Sequence, residues 1–71
     1  MNKKILILGA SILQVPLIKE AKSMGLVVGI ADINPNSVGI QYGDYFYQVD
    51  IFDEKEVYKI AKNLIQTVFA P

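Results

Sequence analysis

Lys4-Ile5-Leu6-Ile7-Leu8-Gly9-Ala10-Ser11, close to the start of a 71-residue chain, is the stretch that decides the fold. A continuous apolar run that ends in a glycine turn reads as a strand buried on both faces, as in a parallel sheet covered by helices. The helix expected next places Leu13, Leu17, Ala21 and Met24 on one face, at offsets of four, four and three. Pro16 lacks the amide donor that a helix needs beyond its first turn, so the helix starts near Leu13–Val15. Gly25 is the expected stop, in a left-handed backbone conformation.

Working outward, Leu26-Val27-Val28-Gly29-Ile30-Ala31 is a second strand that ends at Asp32. Asn34-Pro35-Asn36-Ser37 is a turn, because proline presets φ and asparagine accepts unusual backbone angles. Val38–Gly43 is at most a short helical turn. Tyr45-Phe46-Tyr47-Gln48-Val49 has the aromatic and β-branched character of a third strand. Asp53-Glu54-Lys55-Glu56 forms a capping box, with Asp53 accepting from the helix start and Glu56 reaching back. Val57, Ile60, Ala61 and Leu64 follow as a buried stripe, and Lys55, Lys59 and Lys62 take the wet side. Gln66-Thr67-Val68-Phe69 reads as a short fourth strand. This order predicts an α/β fold, a small three-layer Rossmann-like domain. Its four-stranded parallel sheet has order 3-2-1-4 and carries two main helices.

Composition narrows the chemistry. The chain has no Cys, His, Arg or Trp, and seven lysines balance seven acids. That removes disulfides, thiolate nucleophiles, Cys-based zinc sites, imidazole bases and guanidinium clamps. A self-contained enzyme is not expected, and any anion site must use backbone amides or lysine. Zero net charge gives no electrostatic footprint for nucleic acid. Yet 52% of the residues are hydrophobic, which is rich for so short a chain. The basic start and apolar run outline a signal peptide, but Gln14, Pro16, Lys19 and Glu20 interrupt it and favour the strand reading. No run reaches the roughly 18–20 apolar residues of a membrane-spanning helix. The expectation is a soluble, cytoplasmic domain.

The candidate site is Gly9–Gln14 after the first strand, with Asp32 at the end of the second. In dinucleotide folds a glycine-rich turn brings backbone amides to a pyrophosphate, and an acid about 20 residues on accepts from a ribose hydroxyl. Gly9 and Asp32 are 23 positions apart, which fits. The loop itself departs, with Ser11 and Gln14 standing where the second and third glycines belong. The alternative is that Gly9 makes the turn and Asp32 caps the next one. Asp50, Asp53, Glu54 and Glu56 suggest helix capping ahead of a hard-cation site. Tyr42, Tyr45, Phe46 and Tyr47 suggest sheet core or an interface ahead of base stacking.

Several of these segments, taken in order, resemble the N-terminal (pre-ATP-grasp) domain of ATP-grasp ligases, in the carbamoyl-phosphate-synthase-like and carboxylate–amine ligase branch. They are Lys4 to Gln14, the helix end Ala21-Lys22-Ser23-Met24-Gly25, Asp32-Ile33-Asn34-Pro35, and Gly43-Asp44 before Tyr47-Gln48-Val49-Asp50. The resemblance covers nearly all of residues 1–71. Ser11 stands where that family often has glycine and Gly43 where it often has alanine. The family continues past the fourth strand into another helix and an ATP-grasp module, so the resemblance implies a truncated domain without that module. It further implies that Gly9, Ala10, Ser11, Leu13, Gln14, Asp32 and Asn34 line a substrate-side cleft. ATP and Mg²⁺ belong to a full-length relative, and no cofactor is expected in this chain.

Three functions stay open at this stage: a non-catalytic ligase domain, a nucleotide- or dinucleotide-binding module at the Gly9 loop, and a protein-interaction or assembly domain. For the last, a homo-oligomer through the edge strand Gln66–Phe69 or an uncovered sheet face is expected. Neither nucleic acid nor membrane is an expected partner.

Overall fold

A computed structural model describes residues 3–66. Strand β1 (Lys4–Leu8), helix α1 (Val15–Ser23), strand β2 (Val27–Asp32), strand β3 (Tyr45–Gln48) and helix α2 (Glu54–Gln66) follow in that order. Single 3-10 turns occupy Ile12–Gln14 and Val38–Tyr42. The chain is a small α/β unit with a parallel sheet, as the strand and helix patterns predict. β2 is central, with Ile5 opposite Val28 and Ile7 opposite Ile30 on one side, and Ile30 opposite Phe46 on the other. Its order β1-β2-β3 holds three strands among the described residues, so the four-stranded 3-2-1-4 sheet is not reproduced there. Gln66, expected to open the fourth strand, is instead the last residue of α2. Neither Gly nor Pro stands between Leu64 and Gln66 to stop the helix. The rest of that expected strand, residues 67–69, lies outside the described residues.

Alternation along β2 sends Val28 and Ile30 to one face and Gly29 to the other. On the first face Ile18 and Ala21 of α1 meet Ile7, Ala10, Val28 and Ile30 in the buried core. This overturns the expected stripe of α1. Leu13 is 85% exposed and Leu17 and Met24 are exposed too, so only Ala21 of the four is buried. The cause lies at the helix start. The 3-10 turn winds at about three residues per turn, so it puts Leu13 out of phase with the α-helix that follows. With Pro16 in its first turn, α1 turns Ile18 inward instead. Gly25 ends the segment as expected, at φ +81°.

On the other face α2 packs against β1, and its Leu64 reaches over Gly29 of β2. A Cβ at Gly29 would stand 2.9 Å from Leu64 Cδ2, so the glycine is what lets the helix settle. Leu64 is buried, Val57, Ile60 and Ala61 are half-buried, and Lys55, Lys59 and Lys62 are exposed, as the stripe predicts. The capping box is only half made. Asp53 Oδ1 accepts from the Glu56 amide at 3.2 Å, but the Asp53 amide donates to the Asp50 carbonyl. The Glu56 carboxylate turns outward to Lys59. No helix among the described residues is long and apolar enough to cross a membrane.

Candidate functional site

All three strands end at one edge, so the parallel sheet brings the Gly9 loop, Asp32 and the Asn34 turn together. Asp32 is the hub. Its Oδ2 accepts from the Ala10 amide at 2.8 Å and from the Ser37 hydroxyl at 2.8 Å. Its Oδ1 accepts from the Asn34 amide at 2.9 Å, closing an Asx turn. One carboxylate therefore ties the loop after β1 to the loop after β2. Burial pushes the Asp32 carboxyl up. Hydrogen bonds from the Asn34 amide, the Ser37 hydroxyl and the Ala10 and Ile33 amides outweigh that effect, and the group sits below its ordinary value.

Ala10 is fully buried and engaged at both backbone groups. Its amide goes to Asp32, and its carbonyl accepts from the Gly39 amide at 2.8 Å. Gly39 is there for space, since a Cβ would stand 2.8 Å from the Ala10 oxygen. The Gly9 amide extends the strand ladder to the Ala31 carbonyl at 2.7 Å. Gln14 folds back, its Nε2 donating to the Leu8 carbonyl at 3.3 Å. Asn34 uses its own Oδ1 to accept from the Asn36 amide. Ser11 and Leu13 are exposed at the lip of the edge, and the Ser11 side chain makes no capping bond.

The structure thus brings Gly9, Ala10, Asp32 and Asn34 into one bonded cluster, with Ser11, Leu13 and Gln14 as its outer rim. Ser37 and Gly39 were not singled out from the sequence. The signal was present, because Ser37 is five residues past Asp32, beyond a proline turn that brings the chain back. A ribose-binding acid needs oxygens open to a diol, and a phosphate cradle needs an open amide. Here Asp32 and the Ala10 amide satisfy each other. The Ala10 amide thus ties the Gly9 loop to Asp32.

Asp53 caps α2, whereas Asp50 closes an Asx turn ahead of it, its Oδ1 accepting from the Phe52 amide at 2.9 Å. Among the described residues no cluster of three or more His, Cys, Asp or Glu is placed to hold a metal ion. Tyr42 packs against the core, and the Lys19 ammonium lies 4.8 Å from its ring centroid. No protein-family model matches the chain, and no curated protein matches it.

Proposed function

We propose that this chain is the N-terminal, substrate-side domain of an ATP-dependent carboxylate–amine ligase of the ATP-grasp kind, and that it does not turn over substrate alone. The observation that carries the reading is the Asp32 latch. It fixes the Gly9 loop and leaves Ser11 and Leu13 as a firm lip at the carboxyl edge, where open α/β folds take their ligands. A domain that walls a cleft needs such a fixed surface and no general base of its own. The reading includes a fourth strand beside β1, in the order 3-2-1-4. Its support is the Lys4 ammonium, which donates to the Ile65 carbonyl at 3.0 Å and so holds the end of α2 beside the start of β1. A right-handed crossover from β3 through α2 needs that arrangement. ATP and Mg²⁺ act in the ATP-grasp module of this reading, and the location that goes with it is the cytoplasm.

The test is to read the source gene in frame beyond the codon for Pro71. An ATP-grasp module in frame is the expected result, and an unrelated continuation would refute the reading. Thermal melting with ATP, ADP and NAD complements it. A nucleotide at 100 times its dissociation constant adds about 2.7 kcal/mol, so a site on this chain would move the melt by several degrees. No shift is expected with any of the three.

A further inference from the structure

We propose that copies of this chain associate head to tail, the carboxyl edge of one against the amino edge of the next. Every strand of the sheet is parallel, and both helices run back against it. One edge therefore collects strand ends and helix starts, and the other collects helix ends and strand starts. Helix starts favour acids and helix ends favour lysines, a preference met by Glu54 and Glu56 at the start of α2 and by Lys22 at the end of α1, and a chain of zero net charge carries two oppositely charged ends. Among the described residues Asp32, Asp50, Asp53, Glu54 and Glu56 stand at the carboxyl edge, where Lys55 alone opposes them. Lys3, Lys4, Lys22 and Lys62 stand at the amino edge, against Glu20 and Asp44.

Local capping explains where the charges sit. It does not explain the apolar side chains among them. Leu13 follows β1, Ile33 follows β2 and Phe52 follows β3, so exposed apolar groups run across the whole carboxyl edge, with Phe52 86% exposed. At the amino edge Met24 and Ile65 are exposed in the same way. Each edge thus offers what the other lacks in charge and what it shares in apolar surface. A two-fold contact between carboxyl edges would set acid against acid. The complementary occupant is the amino edge of a second copy, a heterologous contact that extends as a row or closes as a ring. A standard interface takes about 800 Å² from each partner, about a sixth of this chain's 4976 Å². The inference does not rest on the ligase reading, which gives the same Leu13 lip to a cleft wall.

Sedimentation velocity of the full chain over a range of concentrations tests it. Mass is expected to keep rising with concentration past the dimer, or to stop at a closed ring, and to fall in about 1 M salt, where charge attraction is screened within about 3 Å. Glu54→Lys with Glu56→Lys sets three lysines against the three remaining acids and cancels the charge of the carboxyl edge, and Lys3→Glu with Lys62→Glu reverses the amino edge. Each double variant alone is expected to stay monomeric. Their equimolar mixture is expected to associate again, because the unaltered carboxyl edge of one variant meets the unaltered amino edge of the other. Phe52→Ser, at an exposed position that leaves the fold intact, is expected to weaken association at least tenfold. A wild-type monomer throughout, a salt-insensitive dimer, a mixture of folded variants that stays monomeric, or unchanged association of Phe52→Ser would each overturn the proposal.

Discussion

The sheet has two covered faces, and they are closed by different means. Under α1 the seal is tight and tied at both ends. Ile18, Val28 and Ile30 are fully buried, and a carboxylate pins each end of that layer. Asp32 does so at the carboxyl edge. Asp44 does so at the amino edge, where its Oδ1 pairs with the Lys22 ammonium at 2.6 Å and its Oδ2 accepts from the Val28 amide at 2.7 Å. Under α2 a longer helix buries only Leu64 fully, over a glycine, with Tyr47 donating its hydroxyl to Asn63 Oδ1 at 3.2 Å. A short helix with polar anchors and a long helix with one deep contact do the same work. The strongest test of that contrast is to cut one core residue on each face. Ile18→Ala is expected to cost about 4 kcal/mol and Leu64→Ala about 2.5 kcal/mol, because the cavity beside the end of α2 collapses more easily. A chain of this length has roughly 4–10 kcal/mol in total, so the first variant keeps roughly 0–6 kcal/mol at room temperature. Urea unfolding midpoints read both, and equal losses would remove the distinction.

The next test removes the close approach under α1. Gly39→Ala puts a Cβ 2.8 Å from the Ala10 carbonyl oxygen and 2.9 Å from Ile18 Cδ1. Backbone on one side and core on the other leave little room to shift, so about 2–3 kcal/mol is expected to be lost. Gly29→Ala on the α2 face meets the flexible end of the Leu64 side chain at 2.9 Å and Tyr47 Cε2 at an ordinary 3.4 Å, and is expected to cost less. Reversal of that order in thermal melts would mean that α2, not α1, is the rigid cover.

Asp32→Asn isolates the polar anchor. It replaces an acceptor pair serving the Ala10, Asn34 and Ser37 donors, and about 2 kcal/mol is expected to go. Its pH dependence carries the sign. The folded-state value of Asp32 is depressed, so its contribution is full above the ordinary carboxylate value of 3.8 and fades as pH falls through the lower folded value. The stability gap between wild type and Asp32→Asn should therefore hold at neutral pH and close below about pH 3.8. A gap that persists in strong acid would show that the carboxylate charge is not what holds the loop.

The same contrast explains what was legible beforehand. α2 could be read because its apolar residues fall on one stripe and its lysines on the other side. β1 and β2 could be read because apolar runs flanked by glycine and a turn acid have few alternatives. α1 could not be phased. Leu13, Leu17, Ile18, Ala21 and Met24 spread apolar groups over an arc of about 140°, wide enough for two stripes, and the choice between Leu17 and Ile18 was settled by the 3-10 turn ahead of Pro16. The site was half legible. Gly9 and Asp32 stand out by spacing. That Asp32 turns inward onto Ala10 depends on Ser37 and Gly39 arriving from the other loop, and their pairing with residues after β1 is a tertiary fact.

The smallest expected effect is also the sharpest test of which stripe of α1 faces the sheet. Leu13→Gln removes a large apolar side chain from a position that the original stripe buries and the structure leaves in water. Burial of a leucine is worth about 1.5–3 kcal/mol, so the buried alternative predicts a loss of that size. An exposed site away from any cap or core contact gives a change within about 0.5 kcal/mol. The smaller value is expected, measured by urea unfolding at a dilution where copies do not meet. At higher concentration the same variant should sediment as a smaller species than wild type, because Leu13 belongs to the apolar lip of the carboxyl edge. Stability unchanged and association weakened is the pair of results that an outward-facing Leu13 requires. A cost of about 2 kcal/mol would return it to the core and take Ile18 out.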